Sequence, residues 1–512
     1  MANWIEQLGD RNPQFLRECR GRLKPRSVMA AVGLSLIFQF LLYISTAEIG
    51  TAIRVSDQLN ICRTLTFVIP YGLFVLGGYY LVDDLAKEEK SGTLNFIRLS
   101  PRPAFEILLG KLLGVPLLPV ILIVIATPLH IISGLLGGVS PQWFLSYYLL
   151  VAAGSAFVFS LALLFGIVGS RSALGKQQAL SAVGFAGLAL IVIAPAFMTW
   201  NSFVTWRAFG AASPLFDEFN AAAPIEWLYL PVAANSLVAH LFTIGNLVIA
   251  TLLVWRILLR KFRVPQATLV SKRLSYIGVF YVNVLAWGFS QSGALSAEMS
   301  LAGAVFLLVL NAFVFLGLIF ALAPSRQMLL DWLRYRQHTL FDWIWNDSSP
   351  SVLAMAINVI IAAGLIVPWL LISDWPISDR GSTNLLSPVP ILLATLSIVT
   401  NVLIYTTLVQ IIFSMRLRSP LIWAVGIVAT FAFVPLTIIA ILTNGSSDRS
   451  GLMIAVWTFL GLPFWQASEL GNVSIGISIG WLMQFVVLLL LLTRLARNLK
   501  QLASHKQTVS TP

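Results

Sequence analysis

Few residues in this chain are spaced for covalent or acid–base chemistry. The four histidines, His130, His240, His338 and His505, are scattered. Neither they nor the two cysteines, Cys19 and Cys62, form a cluster with metal-ligand spacing. Gly175-Lys176 is followed by Gln177 and lacks the earlier glycine, so it makes no phosphate loop. Carboxylates gather in one place, Asp83, Asp84, Glu88 and Glu89, at the start of DDLAKEEKSGTLNFIRLSPRPAFEILLGK, residues 83–111. Gly92 permits a tight turn there, Thr93 can cap a helix, and Leu94, Phe96, Ile97 and Leu99 supply an apolar face. A short helix with exposed apolar residues and flanking charge suits docking to another protein; the plainer reading is a surface-lying connector.

The elements that must position this segment are membrane helices. The chain has 512 residues, 58% hydrophobic and 11% charged, too apolar for a soluble protein of this size. A helix needs about 20 mostly apolar residues to cross about 30 Å of hydrocarbon. Runs of that kind fall at 28–47, 65–82, 112–136, 144–168, 179–198, 232–259, 274–289, 301–323, 352–372, 389–415, 421–442 and 473–493. None alternates with period two, which excludes a barrel. The expected fold is an all-α polytopic membrane protein of about 12 transmembrane helices in two six-helix halves. The divisions expected are a surface segment at 1–27, a six-helix unit at 28–263 containing the 83–111 loop, and a second, diverged unit at 264–512.

Within residues 1–27, Asn12-Pro13 reads as a cap and first turn, opening a short surface helix whose arginines would face lipid phosphates. Ser100-Pro101, Ser140-Pro141, Ser349-Pro350, Ser387-Pro388 and Ser419-Pro420 repeat the same starting device before apolar runs. Residues 326–347 resemble a second surface helix, with Leu329, Leu333, Leu340 and Ile344 on one face and Trp332 and Trp343 beside it. The apolar run 451–465 is short and is broken by Gly461-Leu462-Pro463, so it reads as re-entrant. The aromatic-rich stretch 199–231 reads as an interfacial outer loop.

Cations set the orientation. With both termini inside and sides alternating, only Arg54, Arg63, Arg207, Arg380 and Arg449 of the 33 Lys and Arg fall outside, while carboxylates divide almost evenly. The net charge of +12 is therefore a topology signature in a cytoplasmic membrane, and no nucleic-acid partner is expected. The first apolar run is of full membrane length and is expected to be retained as a span.

Inside the spans the polar side chains are amides: Gln39, Asn246, Asn283, Asn311, Asn358, Asn401, Gln410 and Gln484. Such residues mostly bond between helices. Ion-coupled carriers need titratable groups at depth, so uphill transport here would draw energy from outside the membrane. A secondary carrier of 6+6 spans is the alternative. Its loop signature, Gly-x3-Asp-(Arg/Lys)-x-Gly, fails because Gly78 lies five residues before Asp83 and the next glycine is Gly92. An integral-membrane glycosyltransferase would want outer acidic residues, for which Asp57 and Asp217-Glu218 are thin support.

Residues 80–115 resemble the first cytoplasmic loop of ABC-2-type permeases, the membrane subunits of ABC exporters. The pattern is carried by Glu88 and Glu89, Gly92-Thr93-Leu94, Pro101, and Leu109-Gly110-Lys111. The resemblance implies a transport subunit that is not itself an enzyme, binds no cofactor, and pairs with a separate cytoplasmic ABC ATPase. It implies coupling through Glu88, Glu89, Gly92, Thr93, Leu94, Leu99 and Pro101, with Gly110 and Lys111 fixing the inner end of the third span. Lys111 alone reads as an anchor snorkelling to lipid phosphates. Besides the ATPase and membrane lipids, a homodimer or a second permease is an open partner.

Overall fold

Asn12 opens the described chain as a helix cap. Its Oδ1 accepts from the Phe15 amide at 3.0 Å, and Pro13 takes the first position of α1, Pro13–Arg22. The computed structural model describes residues 12–46, 54–169, 178–209, 226–232, 235–291, 297–335, 339–372, 376–379, 382–385, 388–443 and 474–504. After α1 come α2 (Pro25–Thr46), α3 (Val55–Lys90), α4 (Thr93–Arg98), α5 (Ala104–Gly114), α6 (Leu117–Leu136) and α7 (Pro141–Gly169). Next is α8 (Gln178–Leu188), which runs through a π-helical turn at Ala189–Ile193 into α9 (Ala194–Phe209), and then α10 (Ser236–Arg263). These belong to one compact unit, Met1–Ile225 with Pro231–Pro265.

The other unit comprises Glu226–Leu230 and Gln266–Pro512. It holds α11 (Lys272–Ser290), α12 (Ala297–Ala321), α13 (Arg326–Tyr335), α14 (Leu340–Trp345) and α15 (Ser351–Ile372). A two-stranded antiparallel ribbon follows, β1 (Pro376–Asp379) paired with β2 (Ser382–Leu385). Then come α16 (Pro388–Ser414), α17 (Pro420–Thr443) and α18 (Ser474–Ser504). Pro141, Pro388 and Pro420 are the first residues of α7, α16 and α17, as the Ser-Pro pairs predict.

Each of the twelve apolar runs is helical over most of its length, the run 112–136 on two helices. Among the described residues nine helices are long and apolar enough to cross a bilayer, or ten if α12 and α13, bent by 67° at their junction, form one broken span. The protein is an all-α, multi-pass membrane protein. Among the expected spans, α11 falls short because it is diluted by Lys272, Arg273, Ser275 and Asn283. The re-entrant reading of 451–465 and most of the expected outer loop lie outside the described residues.

In the first unit α3 is the hub, packed against α6, α7 and α8. Its buried side chains include Leu65, Phe74, Leu81, Val82 and Leu85. By contrast α2 is almost bare, with 6% of its span buried. Ser35 Oγ donates to the Leu122 carbonyl at 2.8 Å and Gln39 Nε2 to that of Ile125 at 3.3 Å, tying α2 to α6. In the second unit α16 is central, packed against α15, α17 and α18.

Three sequence readings need correction. The acidic start of residues 83–111 is not loop but the last turns of α3, which extends to Lys90. The third span breaks at Val115-Pro116, so Gly110 and Lys111 sit on the separate α5. The expected surface helix at 326–347 is two helices, and its apolar face is split: Leu329 and Trp332 are buried whereas Leu340 is exposed.

Close helix packing in the hub rests on glycine. A Cβ on Gly77 would stand 2.5 Å from the Phe159 ring, while one on Gly33 of α2 would meet nothing within 4 Å. Gly77→Ala is therefore expected to destabilise by about 1–3 kcal/mol, and Gly33→Ala to be near neutral. Thermal unfolding of the two variants in detergent checks the contrast.

Candidate functional site

Every cation that α1 and α5 turn inward finds a carboxylate on a neighbouring helix. Lys111 is fully buried, and its Nζ lies 2.6 Å from Asp84 Oδ2, 2.8 Å from Glu88 Oε2 and 3.5 Å from Glu18 Oε1. Arg22 reaches the other Asp84 oxygen at 2.6 Å, and Arg17 reaches Glu88 at 2.9 Å. Three cations thus face three carboxylates drawn from α1, α3 and α5. Burying Lys111, Glu18 and Glu88 costs several kcal/mol per ion, which the close opposite charges offset, while half-exposed Arg17 stands at the outer edge of the network.

The spacing of α3 makes this possible. Asp84 and Glu88 are four residues apart, one turn, and so share a face at its end. Burial pulls the Lys111 ammonium down, but the carboxylates of Asp84, Glu88 and Glu18 outweigh it and hold the pKa above its ordinary 10.5. A raised lysine contributes stability that is complete below its unfolded pKa and is lost as pH climbs through the folded one.

Glycine lets α1 lie directly on α5. A Cβ on Gly110 would stand 2.7 Å from both Asn12 Oδ1 and the Phe15 nitrogen, and one on Gly114 would meet Glu18 at 2.5 Å. Asn12 Nδ2 also donates to the Glu106 carbonyl at 2.8 Å. Lys111 therefore does not snorkel to lipid, and Arg17 and Arg22 reach protein carboxylates rather than the lipid phosphates expected. Glu18, Asp84, Arg17 and Arg22 were not singled out as site residues; the one-turn spacing of Asp84 and Glu88 was the signal available.

The turn after α3 is built on Gly92, whose φ of 75° is left-handed and suits glycine. Thr93 does not cap α4; its Oγ1 donates back to the Glu88 carbonyl at 3.2 Å. The expected single apolar face of α4 is two. Leu94 (0% exposed) and Ile97 (8%) turn into the core, while Phe96 (79%) and Leu99 (85%) face outward. Arg98 fixes the inner side, 3.7 Å from Glu89 and stacked over the Phe262 ring of α10 at 5.5 Å. Pro101 is exposed in the following turn. Beside Phe96 runs a cleft of about 260 Å³ between α1, α4 and α5, lined by Asn12, Gln14, Arg17, Ile97, Arg102 and Glu106.

The arrangement ties α1, the end of α3 and α5 into one charged cluster. Glu18, Asp84 and Glu88 come close enough to share a metal ion, but the Lys111 ammonium already occupies that position. His130 is a packing residue, buried between Thr66 Oγ1 at 2.9 Å and the Tyr148 hydroxyl at 2.7 Å. His240 Nε2 pairs with Ser146 Oγ at 2.5 Å, while His338 and His505 lie outside the described residues. No family model, curated protein or solved structure matches the chain.

Replacing Lys111 strands three buried carboxylates. Lys111→Met is expected to cost about 3–5 kcal/mol and to open the arginine-rich α1 to trypsin. The stability gap between wild type and Lys111→Met should narrow as pH rises well beyond 10.5, where wild type sheds the same charge. Thermal melts across pH 8–12 read both.

Proposed function

We infer that this chain is the permease subunit of an ATP-driven exporter of the ABC-2 type. A separate cytoplasmic ATPase grips α4 through Phe96 and Leu99. The observation that carries this reading is the pair of large apolar side chains at 79% and 85% exposure on a helix otherwise fixed to its own core. Exposed apolar residues beside a cleft and flanking charge suit a protein partner. A pull on α4 would pass through Gly92 into α3, the hub of its unit, and through the Lys111 network into α1 and α5.

The cation distribution supports an orientation with both termini and residues 83–111 on the cytoplasmic side of the cell membrane. Solute would enter from the cytoplasm or inner leaflet and leave outward. The pathway would be completed by this chain alone, by a second copy, or by a second permease.

The test is co-purification with a phosphate-loop ATPase encoded beside this chain. Phe96→Asp with Leu99→Asp should abolish co-purification and lower ATP-dependent transport at least tenfold. The unfolding temperature should not change, because both side chains face outward. Leu94→Asp is unsuitable because Leu94 is core. Full ATP-driven transport by the double variant would refute the docking role, and uphill transport on a proton or sodium gradient without any nucleotide would refute the function.

A further inference from the structure

The second unit buries a series of amides and hydroxyls along its central helix, α16. Along α16 the buried polar residues include Ser397, Thr400, Asn401, Thr407, Gln410 and Ser414. From Ser397 to Ser414 is about 26 Å of helix rise, most of the roughly 30 Å hydrocarbon thickness. Yet α16 is the most buried span of its unit, with 67% of its window enclosed.

Neighbouring helices add polar groups of their own, two pairs made with α16 itself and two made by α11 with α15 and α12, which both pack on α16. Gln410 accepts from Ser351 Oγ of α15 at 3.0 Å, and Ser397 Oγ donates to Gln484 of α18 at 3.0 Å. Asn358 Nδ2 donates to Ser275 Oγ of α11 at 2.9 Å, and Asn311 Nδ2 to Asn283 Oδ1 at 2.7 Å. These bonds are the interhelical role expected of such amides. They do not use up the amides. Asn358 Oδ1, Gln410 Nε2 and Asn311 Oδ1 have no protein partner, though the residues are 0%, 0% and 6% exposed. Both donor and acceptor capacity is left over, and no carboxylate, lysine, arginine or histidine stands among these residues.

Leftover amide atoms at membrane depth are costly unless water or a polar solute meets them, because lipid offers no hydrogen bonds. An apolar packing role would have been met by leucine at each position without that cost. We propose that the amide column of the second unit is a hydrated seam that passes neutral, hydroxyl- or amide-bearing solutes and rejects anions. The donors and acceptors suit such groups. Buried Lys272 stands at the Ser351 end, its ammonium held by Ser349 Oγ and the Trp343 and Pro350 carbonyls. The polar residues from Ser397 to Thr407 offer no charge to offset the burial of an anion. It stands independently of how energy reaches the chain.

Thiol labelling of the full chain in proteoliposomes tests this, in a background carrying Cys19→Ser and Cys62→Ser. A thiolate attacks the reagent's sulfenyl sulfur, forming a mixed disulfide and releasing methanesulfinate, and the thiolate exists only where water reaches. The probes are hydroxyethyl methanethiosulfonate, which is neutral, and sulfonatoethyl methanethiosulfonate, which is anionic. Ser397→Cys and Thr407→Cys change little in size, and Val409→Cys, at a fully buried apolar position of the same helix, is the control. The neutral probe should label both seam positions at least tenfold faster than Val409→Cys and at least tenfold faster than the anionic probe does. Seam rates no higher than the control would overturn the hydrated seam. Equal rates for the two probes would overturn its selectivity.

Discussion

The whole of the first unit's exposed end depends on one ammonium held among three carboxylates. Lys111 is where α1, α3 and α5 meet, and none of Asp84, Glu88 or Glu18 could be buried beside the others without it. The arginines of α1 close the remaining valences, so the amphipathic helix is fastened by charge as well as by its apolar face. Ion pairs at a surface contribute little, and half-exposed Arg17 is of that kind, but the pairs of Lys111 are desolvated, and removing it exposes its carboxylates to the full cost of burial.

That fastening explains why so small a helix as α4 has a fixed attitude. Six residues cannot sustain a helix in water. Leu94 and Ile97 plug it into the core, Arg98 clamps it over Phe262, and Gly92 sets the angle at which it leaves α3. Phe96 and Leu99 are what is left for a partner. Both units have an apolar core, the first around a satisfied histidine and the second around α16, whose buried Gln410 keeps amide capacity to spare.

The apolar runs were legible because a membrane helix needs little beyond length and hydropathy, and each of the twelve is helical over most of its length. The cap at Asn12-Pro13 and the prolines opening α7, α16 and α17 were legible for the same local reason. What sequence could not reveal was direction. Leu94 and Leu99 are equally apolar, and only the packing of α4 against its neighbours sends one inward and the other out. Lys111 looked like a lipid anchor because its three partners lie up to 93 residues away. Glycine at 110 reads as a motif letter, whereas its work is to let the backbone of α1 approach. The split of 326–347 turned on a chain break that helical periodicity does not encode.

The first span, α2, carries a different lesson. Buried over so little of its surface, it has almost no packing area to hold it, yet Ser35 and Gln39 reach carbonyls on α6. Oil supplies no rival donor for those carbonyls, so two slender tethers can keep a near-free rod in register. Such a rod is moored rather than built in: lipid can flow round almost all of it while its rotation and depth stay set.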